Sequence, residues 1–165
     1  MRLSMKQILD GRDRNILFAG VGNVLKKDDG VGVYIAEKIK TGSRVSSLTV
    51  EMGIENYIGK INALAPDVLI IIDACDFGKD PGFISLAKAS ELMEVTTNTH
   101  NISLRKLSEL FIMPVYILGI QPADIGFGEG MCSEVTEAAN RIAELINQAN
   151  INKVQSHESV RIKEL

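Results

Sequence analysis

The sequence predicts an α/β domain built around a mainly parallel sheet. Three observations lead there. Short apolar runs alternate with segments of helical periodicity along most of the chain. The most hydrophobic run, "DVLIIIDAC" at 67–75, is continuous and β-branched, as in a strand covered on both faces. The chain has 165 residues, 45% hydrophobic and 24% charged, which suits one globular domain with a sizeable core. No internal repeat or low-complexity linker divides it.

The elements follow in order. "NILFAGV" (15–21) reads as a buried strand. In "GVGVYIAEKIK" (30–40), Val31, Ile35 and Ile39 fall on one helical face. "VSSLTVEMG" (45–53) is a second strand, and "ENYIGKINALA" (55–65) a second helix stopped by Pro66. The run 67–75 is the third strand, and "GFISLAKA" (82–89) a weaker one. "ISLRKLSELF" (102–111) spaces Leu104, Leu107, Leu110 and Phe111 helically. "VYILGIQP" (115–122) is a further strand. The helix 133–149 turns Val135, Ala139, Ile142 and Ile146 inward. Residues 1–150 make the domain, and the polar residues 151–165 are expected to form a mobile or loosely docked tail.

Composition excludes several classes of function. With 18 basic and 21 acidic residues, no tryptophan and no basic stripe interleaved with aromatics, nucleic acid is not expected as the partner. The start lacks the long apolar run of a signal peptide, and no segment approaches the ~20 apolar residues of a membrane span. Cys75 and Cys132 form neither a C-x-x-C pair nor a disulfide framework. A reduced, cytoplasmic location without membrane insertion is therefore expected.

The loop "GVGNVLKKDDGVG" (20–32) leaves the first strand at its carboxyl end, where functional groups gather in such sheets. It could cradle a phosphate or deliver a carboxylate. A dinucleotide fingerprint counted from Gly20 needs a glycine where Leu25 stands, and the G-K-[ST] of a P-loop is absent. The loop ends instead in Asp28 and Asp29, which would repel phosphate. For Asp28, capping of the following helix is the favoured role.

Two further groups lie at strand ends. Asp73 closes the most hydrophobic strand, where a carboxylate is costly unless bonded, paired or metal-bound. It reads equally well as a loop cap or a functional acid. Asp76 is expected to be solvated. His100 stands in the polar stretch "TTNTHNIS" before a helix, whereas His157 lies in the tail. Asp29, Asp73 and His100 together offer an O, O, N donor set with open positions, suited to nickel or zinc without choosing between them. No G-x-S-x-G elbow or H-E-x-x-H motif occurs. Cys75 is a conceivable nucleophile, but a free cysteine at the end of a buried strand is usually a small apolar filler.

The segments "GVGNVLKKDDGVGVYIAEKI", "VLIIIDACDFGKDPG", "TTNTHNISL" and "YILGIQPADIGFGEGMCSEV" occur in that order across residues 15–148. Together they resemble the motifs of the hydrogenase maturation endopeptidases, closest to the branch serving hydrogenase-3 and energy-converting hydrogenases. The resemblance implies a three-layer sandwich, a twisted five-stranded sheet with helices on both faces. It implies an aspartyl or metal-dependent protease. The substrate would be the large-subunit precursor of a nickel–iron hydrogenase, whose C-terminal extension is removed after nickel insertion. It assigns Asp29, Asp73 and His100 as nickel contacts, with Asp29 and Asp73 also catalytic. Nickel would be supplied by the precursor, and other divalent metals could occupy the same ligands.

Nickel would either act as a Lewis acid or only dock the substrate while Asp29 or Asp73 serves as general base. A monomer is favoured. Two other readings stay open: a nickel-recognising docking module without proteolytic activity, and a nucleotide-binding protein. Lys26 and Lys27 depart from the family pattern and are read as solvated rather than as steering an acidic partner segment. Gly53 precedes the second helix in a stretch whose neighbours differ among branches.

Overall fold

The computed structural model describes residues 4–11, 13–51, 53–92 and 103–161, with side chains described up to residue 150. Five strands form one sheet: β1 (Ile16–Val21), β2 (Val45–Val50), β3 (Val68–Ala74), β4 (Ile84–Lys88) and β5 (Val115–Ile120). Their spatial order is β2-β1-β3-β5-β4. In register, Ile16 lies between Val45 and Val68, and Leu69 pairs with Val115, all parallel. β4 alone runs antiparallel, with Ile84 opposite Ile120. The predicted sheet is thus present and mainly parallel, with one reversed edge strand. That edge ends in an exposed lysine, Lys88, a residue that discourages pairing with another chain.

Alternation along the strands sorts apolar side chains into two cores. Phe18, Ile70, Ile72 and Leu118 pack on one face with Val31 and Ile35 of α2 (Val31–Lys38) and Val135, Ala139, Ile142 and Ile146 of α5 (Ser133–Arg161). Leu17, Ala19, Leu69, Ile71 and Ile117 pack on the other face with Ile61 of α3 (Ile58–Leu64) and Leu107 of α4 (Leu104–Ser108). This is a three-layer sandwich. Asn147 fastens α5 to the end of α2: its Oδ1 accepts from Lys40 N–H at 2.8 Å and its Nδ2 donates to the Lys38 carbonyl at 3.0 Å.

The structure adds to the sequence reading in three places. A short α1 (Met5–Leu9) starts at a capping box, in which Ser4 and Gln7 satisfy each other's backbone N–H groups. It buries Ile8 and Leu9 against the first core. α4 spans only five residues, from the Ser103 cap to Ser108. The chain leaves the helix at Glu109, so Leu110 is exposed while Phe111 is buried. α5 continues to Arg161, through most of the segment read as a tail. No glycine or proline interrupts residues 133–161, so the backbone helix persists beyond Ile146, the last buried residue among those whose side chains are described. Among the described residues no helix is long and apolar enough to cross a membrane.

Candidate active site

Strand order reverses between β1 and β3, because the chain leaves β1 toward β2 on one side and returns as β3 on the other. A crevice at the carboxyl ends of such a strand pair is where open α/β sheets bind ligands. Both predicted aspartates are there. Asp29 lies in a 3-10 turn (Lys27–Gly30) between β1 and α2, and Asp73 is the penultimate residue of β3.

Asp29 is brought to the sheet by backbone geometry. Gly22 follows β1 with φ at 146°, and a Cβ there would lie 1.9 Å from the Asp29 carbonyl oxygen. The loop therefore folds back onto its own start. Asn23 N–H donates to Asp29 Oδ2 at 3.0 Å and fixes the carboxylate. At Gly32, in the first turn of α2, a Cβ would lie 2.2 Å from the Ile72 carbonyl oxygen and 2.3 Å from that of Val21. The close helix–strand packing that a dinucleotide fingerprint assigns to its third glycine is achieved here from within α2 instead. The space opened at Gly20 and Gly22 is filled by the chain's own carbonyls, those of Gly32 and Asp29. It does not open onto a phosphate.

Asp73 is 4% exposed, and its Oδ1 accepts from Ala74 N–H at 2.9 Å. Burial pushes its pKa up to about 8, the negative charge of Asp29 adds to the rise, and the Ala74 hydrogen bond offsets part of it. Two carboxylates thus share one corner, and one of them is reluctant to ionise at neutral pH. A proton or a divalent cation between them would relieve the conflict. Among the described residues no three His, Cys, Asp or Glu side chains gather closely enough to hold a metal ion. The third predicted member, His100, lies outside the described residues.

Cys75 follows Asp73 by two residues and is buried against Phe77 and the second core. Burial first, and then the charge of Asp73, drive its thiol pKa far above the ordinary range. It is a filler, as its position suggested, and not an activated nucleophile. A thiol reagent at pH 8 is expected to leave Cys75 unmodified in the folded protein and to modify it in denaturant. Peptide mapping checks this, and rapid native labelling would contradict the assignment.

Asp28 departs from the sequence reading. Neither the 3-10 turn nor α2 is capped by its side chain. It is 1% exposed and reaches across the site to a different segment, the loop after β5. Its Oδ2 accepts from Ala123 N–H at 2.8 Å and Asp124 N–H at 3.0 Å, and its Oδ1 from Cys132 N–H at 2.8 Å, just before α5. The lysines are committed too. Lys27 has φ at 50° and forms an ion pair with Asp124. Lys26 pairs with Gly128 in an isolated parallel bridge and lies 5.5 Å from the Phe127 ring centroid. The two loops are therefore joined into one structure, and neither lysine is simply solvated.

Gln121, at the end of β5, was not singled out in the sequence, although its place at a strand end was a usable signal. It is buried, and its Oε1 accepts from Phe77 N–H at 2.6 Å and Lys79 N–H at 3.3 Å. Its Nε2 donates to Asp76 Oδ1 at 3.1 Å and to the Pro122 carbonyl at 3.2 Å. It shapes the loop that follows Asp73. Asp76 is exposed but bonded, and the Gly78 N–H and the Gln121 amide hold its carboxyl below the usual range.

Comparison with known proteins agrees with this architecture. Residues 33–149 match the family model of the HycI hydrogenase maturation protease. The hydrogenase 3 maturation protease of Escherichia coli K12 is 34% identical over 128 residues, spanning 74% of this chain and 82% of that protein. The crystal structure of a [NiFe] hydrogenase maturation protease, HycI from Thermococcus kodakarensis KOD1, superposes with a TM-score of 0.78 at 29% identity, covering 88% of this chain and 98% of that one. The solution structure of an endopeptidase HycI from Escherichia coli gives 0.73 at 30% identity, with 81% and 90% covered. The chain belongs to the hydrogenase maturation protease family, a family of peptide-bond hydrolases.

Proposed function

We propose that this protein is the cytoplasmic endopeptidase that removes the C-terminal extension of a nickel–iron hydrogenase large-subunit precursor once nickel is in place. The observation that carries this reading is the Asp29–Asp73 pair at the topological switch point, with Asp73 held toward its protonated form. Nickel belongs to the substrate here, arriving on the precursor. Two carboxylates and the imidazole of His100 make a donor set that suits such an ion, and the mutual repulsion of Asp29 and Asp73 favours its approach. The ion's positive charge lowers the Asp73 pKa, so docking of a loaded precursor prepares a carboxylate to act as base. Asp29, half-buried and oriented by Asn23, lines the same approach. An empty precursor offers no such cation, which makes cleavage conditional on nickel.

The test is intact-mass analysis of the precursor, nickel-loaded and nickel-free, after incubation with the protein. Loss of a C-terminal peptide from the loaded form alone is expected. Asp29→Ala, Asp73→Ala and His100→Ala are each expected to slow cleavage by at least 100-fold while keeping a cooperative melting transition. Normal processing by two of the three would overturn the site assignment. Binding without any change of mass would make the protein a docking module.

A further inference from the structure

The loop–loop assembly beside Asp29 carries an apolar shelf that the reaction itself does not use. Phe127 is 84% exposed and Leu25 58% exposed, and Val24 and Ile125 are exposed with them. These side chains sit on a frame with little freedom. The Lys26–Gly128 bridge, the Lys27–Asp124 ion pair and the three N–H groups held by Asp28 tie the two loops together. Gly128 N–H also donates to the Leu25 carbonyl at 2.9 Å, and Lys27 N–H to the Gly128 carbonyl at 3.0 Å. Large apolar side chains clustered on a braced surface mark an interaction site, whereas scattered exposed ones do not.

The charge on the shelf specifies the occupant further. Lys26 holds its ammonium near the Phe127 ring, and among the described residues no carboxylate pairs with it. Its neighbour Lys27 is already neutralised by Asp124. An apolar surface edged by one ammonium that packs on Phe127 but is neutralised by no described carboxylate complements a segment with apolar side chains and a carboxylate. Position narrows the choice again, because the same loop carries Val24, Leu25 and Lys26 at one end and Asp29 at the other. The shelf and Asp29 are thus two ends of one loop, close in sequence to where a scissile bond at Asp29 and Asp73 would lie.

We infer that Val24, Leu25, Ile125 and Phe127, with Lys26, form the docking surface for a segment of the large-subunit precursor that flanks the cleaved bond, apolar and bearing a carboxylate beside Lys26. This rests on the protease reading above. Phe127 is the anchor of the surface, and Lys26 sets the register of the bound segment.

The experiment measures binding and processing of the nickel-loaded precursor by the full chain and by Phe127→Ser, Leu25→Ser and Lys26→Glu. All three positions are outside the cleavage chemistry, and thermal melting checks that each variant folds. Phe127→Ser and Leu25→Ser are expected to raise KM at least tenfold with kcat within about twofold of the parent. Lys26→Glu is expected to weaken binding at low salt and to lose its difference from the parent at high salt. Unchanged KM in all three, with the parent fully active, would overturn the shelf and leave the protease reading intact. A parent that binds but does not cut, with binding lost in Phe127→Ser, would support the shelf and overturn the protease reading. A parent that neither binds nor cuts overturns both. A dimer abolished by Phe127→Ser, with precursor binding unchanged, would assign the surface to a second copy of the chain and overturn the proposal.

Discussion

Asp73→Asn is expected to melt well above the parent at pH 8 and to leave the precursor uncut. In the unfolded chain the Asp73 carboxyl ionises near 3.8, whereas in the folded protein it does so at about 8. Between those values the folded state holds a proton that the unfolded state has released. Stability present below pH 4 is therefore lost progressively as the pH climbs through the window. Asparagine does not titrate, and its Oδ1 can still accept from Ala74 N–H. Its advantage is absent near pH 4, grows through neutrality and levels off above pH 8. At ~1.4 kcal/mol per pKa unit the gain is on the order of a few kcal/mol, or roughly 5–15 °C for a domain of this size. Melting curves from pH 4 to 9 measure it. A pH-independent difference, or none, would show that Asp73 does not carry this burden. Loss of cleavage in a more stable protein is the usual cost of a strained functional group.

Asp28→Ala is expected to be strongly destabilising, although Asp28 touches nothing that reacts. It leaves the N–H groups of Ala123, Asp124 and Cys132 without their acceptors. With water recovering part of the loss, the cost is about 3 kcal/mol, and the melting temperature falls by roughly 6–12 °C. Asp28→Asn keeps oxygen at one of the two accepting positions and is expected to fall between the parent and Asp28→Ala. Hydrogen exchange gives the local signature: faster exchange at positions 123, 124 and 132, with β1 and β3 amides unchanged relative to each other. Equal exchange in parent and variant would mean that the two loops hold together without this carboxylate.

The layers and most of the sheet were readable in advance because each rests on a local pattern. The continuous run at 67–75 suits a covered strand and forms one, and Val31 and Ile35 share one face of α2, whereas Ile39, the next on that spacing, is buried just past the helix end in extended backbone. That Asp29 and Asp73 lie at the carboxyl edge of the sheet was legible from their place at strand ends, which needs only the order of elements. What escaped depended on distant partners. Asp28 bonds residues 95 and more positions away, so in sequence it looked like an ordinary helix cap. The reversal of β4 follows from its pairing with β5, and no residue in "ISLAK" encodes a direction. Lys27 adopts a left-handed φ that its residue type does not advertise. The capping box before α1 was the exception, a local signal in Ser4 and Gln7 that was present and overlooked.

Gly22 and Gly32 lie where even a single methyl group would collide with a backbone carbonyl. These contacts fix the distance between the end of β1 and the start of α2, and with it the height at which Asp29 meets Asp73. In a saturation screen scored by survival of enzyme activity, these two glycines will be as intolerant as the aspartates, although they carry no chemistry. Selection acting on the reaction therefore also constrains positions with no side chain at all. A map of intolerant residues would outline the loop's scaffolding as sharply as its reactive groups, and stability measured alongside activity is what tells the two apart.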